Sequence, residues 1–252
     1  MSIYTDQQLV DLQETLYTSR NPTRRWLHST RSNWIVNHIE GLTGPVFRAL
    51  EVGPGACGYL PVLADIADEV LATDIEPAYL NRARTLAETL PQLSCRIDDI
   101  TATALPAGSF DLILCTEVIE HIADSKAALY GLHKILAPGG TLVLTTPQRY
   151  SPLELCAKVA FLPGIIRLVR LIYREPIIET GHINVMTEIT LRAQIQMAGL
   201  RIQEEYKSGF YLPLIAEFMG ERGLAMLAWC EKKVQGSRFS GLLWTQYYIL
   251  TK

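Results

Sequence analysis

Paired cysteines are the plainest absence from this chain. Its five cysteines, Cys57, Cys95, Cys115, Cys156 and Cys230, are scattered, odd in number and without a Cys-x-x-Cys spacing. Such usage suits a reducing cytosol, so a cytoplasmic location is expected. There is no large excess of charge of either sign: the formal net charge is −3 and the pI about 6.0. That balance argues against a protein whose affinity comes from neutralising many phosphates, and nucleic acid is not the expected partner. The opening MSIYTDQQLVDLQETL mixes acids and amides into a helical pattern and does not read as a secretion signal. Internal repeats and low-complexity runs are also missing, and Pro and Gly fall between elements rather than forming a linker.

With 252 residues, 48% of them hydrophobic, the chain has enough apolar mass to bury one substantial core, and residues 1–252 are expected to form a single domain with embellishments. Two helices are predicted first, over 6–18 and 22–40, the second with Pro22 in its first turn and Gly41 past its end. Apolar runs at 46–52, 69–73, 93–97, 110–115 and 140–146 then alternate with helical patterns at 57–67, 77–89 and 124–136. Alternation of this kind predicts an α/β fold, a mostly parallel sheet with helices on both faces. A helix over 187–198, a strand over 200–206, a helix over 213–234 and a strand over 241–250 complete a Rossmann-like sheet of seven strands.

The most informative segment is LEVGPGACGYL at 50–60. A strand ending at Val52 runs into a turn holding Gly53, Gly55 and Gly58, where missing side chains let a ligand lie against the backbone. Asp74 ends the next strand, and its carboxylate is placed to accept the two hydroxyls of a ribose. Three cofactor classes compete for such a loop. A phosphate-cradling loop is excluded because no Gly-Lys-Ser/Thr follows. The spacing Gly53-x-Gly55-x-x-Gly58 also fits a dinucleotide, but Glu51 precedes it, and an acid there repels a pyrophosphate and welcomes a cation. S-adenosylmethionine carries an ammonium and a sulfonium.

From Leu50 to Pro147 the chain resembles the class I S-adenosylmethionine-dependent methyltransferases. The blocks that carry the resemblance are LEVGPGACGYL at 50–60, LATDIEP at 71–77, IDDI at 97–100, LPAGSFDLILCTEVIEHI at 105–122 and ILAPGGTLVLTTP at 135–147. It implies that Gly53 and Gly55 pass under the methionine part of the cofactor and that Asp74, with Ile75 beside it, binds the ribose end. It further implies that Asp99 with Ile100 addresses the adenine, and that Thr116 touches the cofactor. The stretch between Asp99 and Leu105 is longer than the family pattern, so Asp98 is an alternative to Asp99. On this basis 1–44 is an N-terminal helical cap, 45–147 the cofactor core, 148–180 an apolar helical insertion and 181–252 a substrate-side half.

Methyl transfer from a sulfonium is an in-line displacement whose leaving group comes with the cofactor, so the protein must align the acceptor and remove a proton. Glu117, Glu120 and His121 follow a strand end at i, i+3, i+4, so one helical turn would put all three on one side. Two carboxylates and an imidazole so close invite a cation between them. The segment resembles that of ubiquinone-biosynthesis O-methyltransferases and of small-RNA 2′-O-methyltransferases. That resemblance implies a divalent-metal set of Glu117, Glu120, His121 and the later His182, suited to magnesium, manganese or iron(II). The alternative assigns catalysis to His121 and Glu120 as base and orienting group without metal. WLHSTRSNWI at 26–35 is similar to the ubiquinone-type segment whose arginine reaches the cofactor carboxylate, which makes Arg31 the candidate here; a surface arginine is the rival reading.

Residues 151–178 are unusually apolar yet interrupted by Lys158, Arg167, Arg170 and Arg174, and Pro163-Gly164 breaks them. No stretch is long enough to span a bilayer. A lid over an apolar pocket, a segment lying on a membrane surface, or a helical insertion packed on the core remain open. The expected function is methyl transfer to a small or lipid-like acceptor, at oxygen. An RNA 2′-O-methyltransferase, or a protein that binds the cofactor without turnover, are the alternatives.

Overall fold

The computed structural model describes residues 15, 17–19, 21–173 and 181–252. Its centre is one seven-stranded sheet in the order β3-β2-β1-β4-β5-β7-β6. The strands are β1 (Val46–Val52), β2 (Ala67–Asp74), β3 (Leu93–Ile97), β4 (Phe110–Thr116), β5 (Leu136–Pro147), β6 (Arg201–Phe210) and β7 (Leu243–Thr251). The first five pair in parallel, and β7 runs antiparallel to both β5 and β6. The chain order reverses on either side of β1, between β2 and β4, and in open α/β sheets ligands bind beyond the strands' carboxyl ends at such a point.

Alternating side chains on the central strands serve two apolar layers. Leu50, Val52, Ile113, Cys115, Leu142 and Leu144 meet Leu129 and Leu132 of α4 (Ser125–Ile135) and Leu191 and Ile195 of α7 (Glu188–Met197). Ala49, Leu112, Leu114 and Val143 face the other way, toward Ile35 and Ile39 of α1 (Pro22–Glu40) and Leu60 and Leu63 of α2 (Leu60–Ile66). Both faces are thus covered, as parallel strands require. Asn21 caps α1 by accepting from the Arg24 amide at 2.8 Å, with Pro22 in the first turn, where its missing N–H costs nothing.

Several boundaries differ from the sequence expectations. The second helix starts at Leu60, not at 57, because Gly53, Gly55 and Cys57 all hold positive φ (66°, 49° and 61°) and cannot belong to a right-handed helix. Residues 77–89 divide into a 3-10 turn, Pro77–Leu80, and α3 (Asn81–Ala87). β5 begins at Leu136 and β6 runs on to Phe210. The helix expected over 213–234 breaks into α8 (Ile215–Met219) and α9 (Glu221–Val234), since Gly220 takes φ 57° between them. The insertion forms α5 (Pro152–Ala160) and α6 (Ile165–Tyr173), separated at Pro163-Gly164 as expected. Of the helix predicted over 6–18, residues 15, 17 and 18 are helical, and the remainder lies outside the described residues, as does 174–180.

Candidate functional site

Glu51 is the next-to-last residue of β1, 1% exposed, and its Oε2 has no hydrogen-bond partner among the described residues. Burial pushes its carboxyl up to about 8. The glycine turn follows at once. The Gly53 amide donates to the Thr73 carbonyl at 2.7 Å, tying the turn to β2, and a Cβ on Gly53 would lie 2.5 Å from Val118 Cγ2. Only glycine fits there, on both conformational and steric grounds. Asp74, at the end of β2, is half-buried, and burial raises its pKa; its Oδ1 accepts from the Glu76 amide at 2.8 Å. Ile75 beside it leaves 66% of its surface exposed, an apolar face ready for a planar base. Asp99 caps the turn Ile100–Ala102, accepting from the Thr101 amide and hydroxyl at 2.9 and 2.7 Å, while Asp98 accepts from the Ala104 amide at 3.2 Å. The Ile100 side chain is buried in the core.

Arg31 is buried at 6% exposure, which removes the surface alternative. Its Nη1 donates to Glu117 Oε2 at 2.7 Å, its Nη2 to His28 Nδ1 at 3.1 Å, and its guanidinium lies 5.5 Å from the Trp244 ring. Burial opposes its charge, but Glu117 outweighs burial and raises its pKa. Burial, with Arg31 close by, drives His28 well below the usual imidazole value. Arg31 Nε has no hydrogen-bond partner among the described residues.

The expectation that one helical turn aligns Glu117, Glu120 and His121 is corrected by the backbone. Glu117 sits at φ 56°, in the left-handed region, and only Ile119–His121 form a 3-10 turn. Glu117 is engaged by Arg31 and by the Thr145 hydroxyl, which donates to its Oε1 at 3.0 Å, while its charge still reaches Glu120 and His182. Glu120, His121 and His182 do come together, with one ligand atom from each within 4.8 Å of the others. The loop bearing His182 is fastened to this turn by its backbone, because the amides of Ile183 and Asn184 both donate to the Glu120 carbonyl, at 3.1 and 2.9 Å. Asn184 Nδ2 adds a bond to the Ile122 carbonyl at 2.9 Å.

Glu120 is wholly buried; its Oε2 accepts from Thr146 Oγ1 at 2.9 Å and its Oε1 has no partner among the described residues. Burial first, and the neighbouring Glu117 charge second, push its carboxyl up to about 8. Burial and the nearby His182 lower His121, whose Nδ1 donates to the Gly181 carbonyl at 3.3 Å. Burial would lower His182 as well, but the bond to Glu154 and the Glu120 charge raise it. A buried carboxylate oxygen without a partner beside two imidazoles is what a divalent cation satisfies, so the residues fit such an ion. Oxygen and nitrogen donors suit magnesium, manganese or iron(II). Thr116 ends β4 next to the cluster.

Glu154, Trp244, Thr145 and Thr146 are the site residues that sequence reasoning missed. The two threonines had a signal, since they end the strand next to that of Thr116. Glu154 and Trp244, far apart in the chain, had none.

A family model described as a methyltransferase domain matches residues 50–144. The chain is 30% identical over 159 residues to a ubiquinone biosynthesis O-methyltransferase of Idiomarina loihiensis, covering 58% of this chain and 64% of that protein. A protein of the same name from Acinetobacter baylyi is 30% identical over 126 residues, covering 49% of this chain and 52% of its own. The chain thus spans about half the length of the curated relatives it matches. A crystal structure of a SAM-dependent methyltransferase from Aquifex aeolicus superposes with a TM-score of 0.58 at 14% identity, over 98% of this chain and 99% of that one, a likeness of fold. With a glycine turn that admits no side chain, acids at or next to successive strand ends and this sheet order, the chain has the fold of the class I S-adenosylmethionine-dependent methyltransferases, and residues 50–144 carry a methyltransferase-domain signature.

Proposed function

We propose that this chain moves a methyl group from S-adenosylmethionine to an oxygen of a small, lipid-like acceptor, with Glu120, His121 and His182 around a divalent cation. The observation that carries the proposal is the three-residue cluster with its unpartnered Glu120 oxygen, at the strand ends beside the glycine turn. A divalent ion held there makes a hydroxyl easier to deprotonate. The chain's own part is to supply charge and position. Glu51 faces the turn with an unpartnered oxygen that favours the cofactor's cationic end, Asp74 offers a ribose acceptor, and Arg31 holds a guanidinium against Glu117. The names of the curated relatives support oxygen as the acceptor atom.

A lipid-like acceptor is supported by the insertion. Leu155, Val159, Leu162, Ile165, Leu168, Leu171 and Ile172 are all exposed large apolar side chains on α5, α6 and the bend between them. Lys158, Arg167 and Arg170 are exposed as well, and the only acid between 149 and 173, Glu154, is buried. An apolar face with basic residues and no exposed acid complements an anionic bilayer surface. No helix among the described residues is long and apolar enough to cross a membrane, so the contact would be peripheral.

A second reading is favoured by one observation: His121 is partly exposed, its Nδ1 is engaged by Gly181, and burial keeps it neutral near pH 7, so it is able to accept a proton directly. Methyl transfer to phenolic lipid acceptors, measured with and without chelator, separates the two. Turnover abolished by chelation and restored by Mn²⁺ is expected. Turnover indifferent to chelation but lost in His121→Asn would replace the metal by His121.

A further inference from the structure

His182 Nδ1 lies 3.4 Å from Glu154 Oε2, and the other oxygen of that carboxylate, Oε1, accepts from Trp244 Nε1 at 3.0 Å. Glu154 is itself fixed. It stands in the first turn of α5, its amide donates to the Ser151 hydroxyl at 3.3 Å, and only 8% of it is exposed. Trp244 is buried on β7 and touches His28 edge-on at 5.4 Å. Elements from three distant parts of the chain therefore converge on one carboxylate, which among the described residues is joined to the candidate ligand set through His182.

The geometry points to Glu154 as the positioning residue of this site: its carboxylate engages the Nδ1 edge of His182 and leaves Nε2 to face Glu120 and His121. The inference rests on the metal reading of the cluster. A carboxylate accepts at both oxygens, so it serves the indole N–H and an imidazole Nδ1–H together, and the second of these fixes the tautomer whose Nε2 carries a free lone pair. An amide in its place has one acceptor and one donor group. Because an indole N–H can only donate while an imidazole can exchange tautomers, the conflict falls on His182, which must then accept at Nδ1 and carry its proton on Nε2. That tautomer offers no lone pair to an ion from Nε2.

The test uses the full chain with Mn²⁺ alone as probe. Calorimetry on Glu154→Gln is expected to show affinity weakened by roughly ten- to a hundredfold, the range for an outer-shell partner. The double variant Glu154→Gln with Trp244→Phe should recover much of that loss, because the amide oxygen is then free to turn to His182. Long-range ¹⁵N spectra of the unsubstituted chain should show His182 protonated at Nδ1, and those of Glu154→Gln at Nε2. Unchanged Mn²⁺ affinity in a folded Glu154→Gln, no recovery in the double variant, or an Nε2–H tautomer in the unsubstituted chain would each overturn the inference. If the unsubstituted chain binds no Mn²⁺, the metal reading fails separately, and the tautomer spectra still decide what Glu154 does.

Discussion

Two regions contribute to the candidate site and are built in different ways. Up to Pro147 the site residues stand at strand ends: Glu51 next to last in β1, Asp74 last in β2, Asp99 just past β3 and Thr116 last in β4, each delivered by a short apolar run. Beyond Pro147 the contributors are Glu154 on an inserted helix, His182 on a loop and Trp244 on an antiparallel strand, joined by side-chain bonds across long chain separations. In the first region local sequence dictates position, because a parallel strand ending at the site leaves its last side chain nowhere else to go. In the second, position depends on packing between elements that only the folded chain brings together. The cofactor half is thus expected to tolerate change in the insertion, and the acceptor half to be disabled by single substitutions that leave cofactor binding intact.

The sharpest break is expected at Glu120→Gln, where Mn²⁺ binding should vanish while S-adenosylmethionine binding, measured on the same preparation, stays within error. Loss of both would show that the two regions are one unit. Gly53→Ala should do the reverse. A methyl group there meets Val118 Cγ2 at 2.5 Å in a backbone held at φ 66°. Strain of about 1–3 kcal/mol corresponds to roughly five- to 150-fold weaker cofactor binding by calorimetry, with Mn²⁺ binding kept.

The same contrast explains what the sequence disclosed. The parallel core, both helical layers, the glycine turn and the acids at strand ends were legible, since each is written in periodicity and in turn residues within a few positions. The grouping of Glu120, His121 and His182 was suggested by resemblance and is reproduced by the fold. Glu117 does not share a helical turn with them, because i, i+3, i+4 logic presumes a right-handed helix and Glu117 lies at φ 56°, yet it stays close enough for its charge to raise Glu120 and His182. Gly220 likewise broke a helix that the apolar pattern had run through. Glu154 looked like one acid in a greasy insertion; a carboxylate accepting from an indole two strands away leaves no local pattern.

A smaller effect sharpens the role of the insertion. Replacing Leu168 and Leu171, 57% and 72% exposed, by Glu should lower co-sedimentation with phosphatidylglycerol vesicles by about tenfold or more per residue. The basis is the ~1.5–3 kcal/mol that burying a leucine contributes. Equal binding to neutral phosphatidylcholine vesicles would count against the charge argument, and a change in oligomeric state in place of vesicle binding would assign the face to a second copy of the chain.

The smallest effect is a proton. Burial raises Glu51 to about 8, so in the free protein it is protonated at pH 7, and a cationic ligand must displace that proton. Cofactor binding should release close to one proton at pH 7 and almost none above pH 9, read as a buffer-dependent calorimetric heat that Glu51→Gln abolishes. The sign for stability follows from the same shift. A carboxyl raised in the folded state contributes stability below its unfolded value that is lost as pH rises through about 8, so the cofactor-free chain should melt lower at pH 9 than at pH 6, and Glu51→Gln should flatten that slope.

The central claim is that the ion site of the acceptor half stands next to the methyl carried by the cofactor half. Relaxation of the ¹³C-methyl signal of bound S-adenosylmethionine, recorded as Mn²⁺ is added, tests it most directly. Strong broadening that disappears in Glu120→Gln is the predicted result; an unbroadened methyl signal with Mn²⁺ fully bound would contradict it.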